Sequence, residues 1–335
     1  MPRRGSGMAR LELPGSSGLA AALRAVPGSP GVAQLLGEGG RSLLIARPAD
    51  LRRWARAQLG LGRPRRGRPA TDLSGVARAL LWACTSSGFE QRLRSERLLA
   101  AHVAPAERRD LPSPHWLCLD LEDRFPRLVV SPRPAARGGS WGIFGSRDAA
   151  RGVRDRLNRW FALRSCEEDF EPAPDLALGL GCLYAQVRTC AAPCLERIGP
   201  GAYRDLARRA AGFLSAPAER PAEAGAWLPA SIASHHARGV VAERVAAGFA
   251  LWPVRCGRVG EGVTAITAGE ALAALDWPGL GDGPRDAAWL VDWVGDRSRR
   301  GVYRTLAPHE PTEAAAAELE EAADARGNVG AGRSR

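Results

Sequence analysis

The chain contains no lysine: all 47 of its basic residues are arginine, set against 36 acidic ones. Its formal net charge of +11 therefore rests on guanidinium groups alone. Clustered cations release counterions from a phosphate backbone, so a nucleic-acid partner is one reading of the excess. Ala, Gly and Pro are abundant beside the arginines, which is also the bias a GC-rich genome imposes whatever the function, and charge alone does not decide. Long apolar runs are lacking too. Every apolar stretch is broken by Arg, Gly or Pro well short of the roughly 20 residues needed to cross a bilayer, so no membrane partner is expected. No apolar segment with a small-residue cleavage site follows the basic Met1-Pro-Arg-Arg4, and the expected localisation is cytoplasmic. No tandem repeat is present.

What remains is enough apolar material, 45% of 335 residues, for two or three small cores. The mixture of short strand-like and helix-like segments predicts an α+β fold. Residues 1–22 are rich in Gly, Ser, Pro and Arg without a sustained period and read as a disordered basic tail. A first unit is expected over 23–109. The runs after Ser29-Pro30 and over Ser42 to Ala46, separated by Gly37 to Gly40, predict a hairpin, and Asp50 caps a helix to about Leu59. A basic Gly/Pro loop spans Arg63 to Pro69, and helices are expected near 73–84 and 88–103.

A second unit is expected over 113–215. Its hairpin uses His115 to Leu121 and Arg127 to Ser131, and Gly138 to Gly145 reads as a flexible glycine-rich loop. Ser146 or Asp148 then caps a helix whose Ala149, Val153, Leu157, Trp160 and Phe161 recur at helical spacing. An amphipathic helix follows over about 201–214. Pro217 to Pro221 reads as a linker, 227–305 as a small α/β accessory unit, and 306–335 as a mobile tail with a helical start.

The chemistry-bearing feature is Cys166-x15-Cys182-x7-Cys190-x3-Cys194. Seven cysteines in a cytoplasmic chain point to thiols or metal ligands rather than disulfides. Thiolates brought together by a loop, a short segment and a tight turn can each ligate one iron of a 4Fe-4S cluster. Structural zinc usually recruits two close cysteine pairs, and only one is present here, so the cluster is favoured and zinc is the alternative. A segment this rich in Gly and Pro has little core of its own, which makes a structural role for the metal the natural one. Cys84, Cys118 and Cys256 lie in apolar surroundings and read as small buried hydrophobes.

Around the cysteines, Phe161-Ala-Leu-Arg-Ser-Cys166, Gly181-Cys182-Leu-Tyr-Ala-Gln186, Cys190-Ala-Ala-Pro-Cys194 and the helix from Tyr203 to Leu214 resemble the cysteine region of the UvrC family. That family comprises the incision subunit of bacterial nucleotide excision repair and its shorter relatives. Phe125-Pro-Arg-Leu128 and Trp141-Gly-Ile-Phe-Gly145 resemble the linker of the same family. The resemblance implies a 4Fe-4S cluster at the four cysteines, agreeing with the spacing argument, and implies DNA and other excision-repair proteins as partners.

It extends backward in degenerate form. Pro27-Gly-Ser-Pro-Gly-Val-Ala33 and Leu43-Leu-Ile-Ala46-Arg47-Pro-Ala-Asp50 resemble the entry, second strand and first helix of a GIY-YIG nuclease domain. Ala33 and Leu44 stand where the motifs carry tyrosine, Ala46 replaces a glycine, and Trp54 stands where the helix carries arginine. Glu96, nine residues before Pro105, matches the metal-binding glutamate in spacing. A nuclease of this type needs a tyrosine hydroxyl to help deprotonate water, an arginine at the phosphate, and a carboxylate holding Mg²⁺ or Mn²⁺. With three of those positions replaced, the site is expected to be inactive and Glu96 vestigial, or else a solvated helix charge beside Arg94 and Arg97. The enzyme alternative is an active excinuclease in which Arg53 or Arg56 substitutes for the lost cation. Arg47, Arg52, Arg53, Arg56, Arg63, Arg65, Arg66 and Arg68 are the expected DNA contacts. A zinc-stabilised protein-interaction module is the third reading.

Other features carry less. Adjacent His235 and His236 point in different directions and read as a surface pair. The glycines of 138–145 lack the strand-to-helix order of a dinucleotide site. The C-terminal tryptophans could stack on single strands but read first as core.

Overall fold

A computed structural model describes residues 7–14, 18–62, 72–104, 112–174, 182–229, 231–279, 286–296, 300–307 and 310–329. The fold is α+β, as expected, with three small antiparallel sheets among the described residues.

The first sheet has the order β1-β4-β2-β3, from strands β1 (Ala9–Glu12), β2 (Gly31–Leu36), β3 (Ser42–Ala46) and β4 (Ala79–Cys84). The β2–β3 hairpin stands where the sequence placed it. Two expectations fail. Residues 9–12 pair with β4 instead of belonging to a disordered tail, and helix α1 (Leu19–Ala22) adds Leu19 to the core. The stretch 73–84 is not a helix: a turn at Leu73 to Ala77 leads into β4, which lies between β1 and β2. A central strand buried on both faces reads as a continuous apolar run, which periodicity alone does not separate from a buried helix.

Helix α2 (Leu51–Gln58) is capped by Asp50, whose carboxylate accepts from the Arg53 N–H at 2.8 Å. Helix α3 (Gly88–His102) is capped by Ser87, and Gln91 on it donates to the carbonyls of Gly31 and Pro48. That side chain clips α3 to β2 and to the chain leaving β3.

The second sheet, β6-β5-β7-β8, uses β5 (His115–Leu119), β6 (Val129–Ser131), β7 (Gly139–Phe144) and β8 (Ala233–Ser234). The glycine-rich stretch expected as a loop is strand β7. A Cβ on Gly142 would stand 2.7 Å from the Trp116 ring, so its glycine permits close packing rather than mobility. Helices α4 (Arg147–Phe161) and α6 (Pro200–Ser215) cover this sheet, burying Val153, Leu157, Tyr203 and Leu214 with Leu117 and Phe125. Leu228 and Ile232 join this core and Ala233–Ser234 join the sheet, so the accessory unit begins later than residue 227. Pro217 to Pro221 is no loose linker, because Arg220, just before the single turn α7 (Ala222–Gly225), donates to the carbonyls of Phe213, Leu214 and Ile232.

The third sheet is built on the long hairpin of β9 (Gly239–Val245) and β10 (Gly248–Arg255). Strands β11 (Arg258–Val259) and β12 (Val263–Ala265) pair with β10, and β13 (Val302–Thr305) pairs with β9. Alternation along β9 splits its side chains between two cores. Val240 and Ala242 face α8 (Ala268–Ala273) and α10 (Thr312–Val329), where Ala315, Leu319 and Ala323 are buried. The expected mobile tail thus holds a packed helix. On the other face, Val241 meets α9 (Ala287–Gly295) together with Phe89 and Leu93 of α3. Helix α3 therefore belongs to two units at once. Trp252, Trp289 and Trp293 surround the Phe89 ring at 4.9, 5.5 and 4.8 Å, so these tryptophans are core as expected.

Candidate metal centre

The cysteine segment leaves α4 through Ala162, in the left-handed region at φ 53°. Two anchors fix the chain just before Cys166. The Arg164 N–H donates to the Tyr203 hydroxyl at 2.7 Å, and Asn158 donates to the Ser165 hydroxyl at 2.9 Å. Cys166 follows outside any helix or strand, and Cys182 precedes the single turn α5 (Leu183–Gln186). Cys190 and Cys194 are buried around a turn in which Ala192 and Glu196 take positive φ. The Ala191 N–H donates back to the Ala162 carbonyl at 2.8 Å, closing the segment on the end of α4.

Cys190 and Cys194 each feel the charge of Cys166 and Cys182. Burial raises the Cys190 thiol to about 11, opposed by the Ala192 N–H at 3.3 Å from its sulfur, and Cys166, Cys182 and Cys194 raise it further. Burial also raises Cys194, followed by Cys182 and Cys166. A centre that holds thiolates must offset this mutual repulsion with cationic metal, and backbone N–H groups directed at sulfur add to the offset. The donor set is all sulfur, the chemistry that suits an iron–sulfur cluster or zinc. Among the described residues, no three His, Cys, Asp or Glu side chains close on the geometry of a single ion.

The residues expected at the nuclease-like positions fall elsewhere. Ala33, Leu44 and Trp54 come together, but in one apolar core with Leu35, Leu51 and Ala55. Register explains it: Ala33 opposes Ala46 and Leu35 opposes Leu44, which places all four on the face covered by α2. Glu96 is not the solvated helix charge that its arginine neighbours suggested. It is 6% exposed and paired with Arg92 at 2.8 Å, and Arg92 also reaches Asp292 of α9 at 3.1 Å. Arg47 adjoins this group: desolvation and the Arg92 charge lower its pKa, while Glu96 and Asp292 oppose them.

Of the other expected DNA contacts, Arg52 is a strut, donating to the Val26 and Arg24 carbonyls. Arg53 is exposed and Arg56 half-buried on α2, while Arg63, Arg65, Arg66 and Arg68 lie outside the described residues. Cys118 and Cys256 are buried as expected, whereas Cys84 is exposed beside Ser29. His235 departs from the surface pair: it is half-buried against Trp116, and His236 alone is exposed. Unforeseen was a row of arginines on α4 beside the cysteine segment. Arg147, Arg151 and Arg154 recur at helical spacing about a quarter turn from the buried Ala150, Val153 and Leu157, a signal present in the sequence.

Residues 114–213, which contain all four cysteines and the Tyr203 anchor, match the family profile "UvrC/Cho excinuclease, middle domain". The chain is UvrC-like. It is 27% identical over 205 residues to the UvrABC system protein C of Rhodospirillum rubrum, covering 60% of this chain and 31% of that protein. The corresponding protein of Gluconobacter oxydans is 27% identical over 196 residues, covering 58% and 30%. That of Stenotrophomonas maltophilia is 30% identical over 193 residues, covering 56% and 30%. The chain thus spans about a third of the length of the UvrC relatives it matches. No solved structure matches it. Among the described residues, no helix is long and apolar enough to cross a membrane.

Proposed function

We propose that this chain is a DNA-binding protein of nucleotide excision repair that does not itself cut DNA through its GIY-YIG-like unit. In this reading Cys166, Cys182, Cys190 and Cys194 hold a 4Fe-4S cluster. The observation that carries it is the packing of Ala33, Leu44 and Trp54 into one apolar core, where the family places its tyrosines and arginine. These side chains supply neither a proton acceptor nor a charge for the scissile phosphate. Glu96 keeps its carboxylate, but that group neutralises Arg92 beneath α9.

When bound, the cluster supplies folding free energy to a segment that crosses between α4 and α6 with little apolar material of its own. The chain's residues do the rest: Tyr203 and Asn158 set the approach to Cys166, and the Cys190 to Cys194 turn directs N–H groups at sulfur. Arginine surfaces contact phosphate, and the other excision-repair proteins are the natural docking partners.

An incision assay on damaged and branched duplex with Mg²⁺ or Mn²⁺ tests the reading. No cutting is expected. Metal-dependent cutting abolished by Glu96→Gln would establish an active nuclease instead. Stoichiometric zinc without iron in anaerobically purified protein would replace the cluster with a zinc centre.

A further inference from the structure

We infer that the cleft between β6 and α4 is a binding site for a backbone phosphate of a DNA strand. The inference rests on the DNA-binding reading above and gives it a location. Arg127, Arg147, Arg151, Arg154 and Arg164 line this one cleft, with Glu167 as its acidic lining residue. The three on α4 occupy the same face over two turns of the helix, near its N-terminal end.

The local carboxylates leave the cationic character in place. Asp155 pairs with Arg154 at 2.7 Å, and Asp148 reaches Arg151 only at 3.9 Å with 93% of its side chain exposed. Five guanidiniums thus meet Asp148, Asp155 and Glu167, a balance of 5 − 3 = +2.

Arg164 provides the independent observation. It is 8% exposed, stacks on Phe170 with its guanidinium carbon 4.9 Å from the ring centroid, and donates from one terminal nitrogen to the Cys166 and Glu168 carbonyls. Its buried Nε has no hydrogen-bond partner among the described residues. A desolvated N–H donor costs free energy when unpaired, and an anionic oxygen entering the cleft would satisfy it with a charge-assisted bond. The planar fork of guanidinium suits phosphate oxygens, and several arginines along one helix suit successive phosphates better than a single compact anion.

Position gives the site its consequence. Arg164 stands two residues before Cys166 and holds that residue's carbonyl, so occupancy of the cleft and order in the cysteine segment share a side chain. A strand held there runs against the metal-binding region rather than across the degenerate nuclease unit.

The test is fluorescence anisotropy of the full chain with labelled single-stranded and duplex DNA over a range of NaCl concentrations. It compares wild type, Arg147→Gln/Arg151→Gln, and a control double variant, Arg24→Gln/Arg41→Gln, at two exposed arginines of the first unit that are not among its expected DNA contacts. Arg147 and Arg151 are exposed, so their replacement leaves the fold intact. The expected result is binding weakened about ten-fold or more for the α4 variant, with the slope of log K against log salt reduced by about 2. The control should stay within about two-fold of wild type.

Wild-type binding that persists unchanged in the α4 variant would overturn this site while leaving the DNA-binding reading intact. Absence of wild-type binding would overturn both. Millimolar inorganic phosphate raising the melting temperature of wild type but not of the α4 variant, with no DNA dependence on these arginines, would make the cleft a free-anion site and overturn the inference.

Discussion

The Tyr203 hydroxyl on α6 accepts the Arg164 N–H at 2.7 Å and donates to the Pro126 carbonyl at 3.2 Å. This fully buried side chain joins the chain entering the cysteine segment to the loop before β6. Burial raises the phenol pKa, so the hydroxyl stays protonated and can serve both bonds. Tyr203→Phe leaves a buried N–H and a buried carbonyl unpaired and is expected to cost about 1–3 kcal/mol in urea unfolding. A change below about 0.5 kcal/mol would show that the pair does not hold the segment.

Protein purified without oxygen should be coloured, with a broad absorption band near about 400 nm from thiolate-to-iron charge transfer, and should contain iron and sulfide. Cys190→Ser should lose both. Cys256→Ser, which alters a buried thiol outside the segment, should keep them. Equal colour in both variants would exclude Cys190 as a ligand.

Glu96→Gln should leave incision at background, because wild type is expected to be there already. It removes the counter-charge of a mostly buried arginine, so stability should fall by about 2 kcal/mol, whereas Asp292→Asn, at a half-exposed partner, should cost under about 1 kcal/mol. Thermal and denaturant unfolding of the two variants checks the order.

Phe89→Ala removes the ring that three tryptophans enclose and should destabilise by about 3–5 kcal/mol. Because Phe89 lies on α3 and its neighbours lie on the third sheet and α9, limited proteolysis should then release the C-terminal part from the first unit. An unchanged digestion pattern would mean that other contacts join the two.

His235 should make stability sensitive to acid. Burial first, and then His236, lower its pKa from 6.5 to about 4, so the folded state keeps the ring neutral. Below pH 6.5 the unfolded chain takes up a proton that the fold refuses. This contribution is therefore complete above 6.5 and is lost as the pH falls toward 4. His235→Gln should flatten the stability profile across that window, and an unaltered slope would place the acid sensitivity elsewhere.

Local sequence signals were reliable where one face of an element met one core. The β2–β3 hairpin, the Asp50 and Ser146 caps, Val153 and Leu157 of α4 and the Tyr203 face of α6 were legible for that reason, whereas Ala149 and Trp160, expected on the same α4 stripe, are exposed. They failed where packing overrode the pattern. Strand β4 is apolar on both faces, β7 needs Gly142 to pass under Trp116, and α10 buries mainly alanines that do not announce a core face. The four-residue β1 has no pattern of its own and is held by its partner strand.

The sequence by itself determined the cysteine spacing and its likeness to UvrC proteins, because residue intervals and turn residues are local properties of the chain. It also placed Ala33, Leu44 and Trp54 where the resemblance to a GIY-YIG unit leads one to expect tyrosine and arginine. Only the tertiary structure decided where those replacements go: strand register turns Ala33 and Leu44 onto the face beneath α2 and leaves Glu96 paired to Arg92 under α9. It alone set five arginines around one cleft beside the cysteine segment, since residues 127, 147–154 and 164 meet only when β6 packs on α4. Charge composition counts guanidiniums, whereas long-range packing determines which of them share a surface.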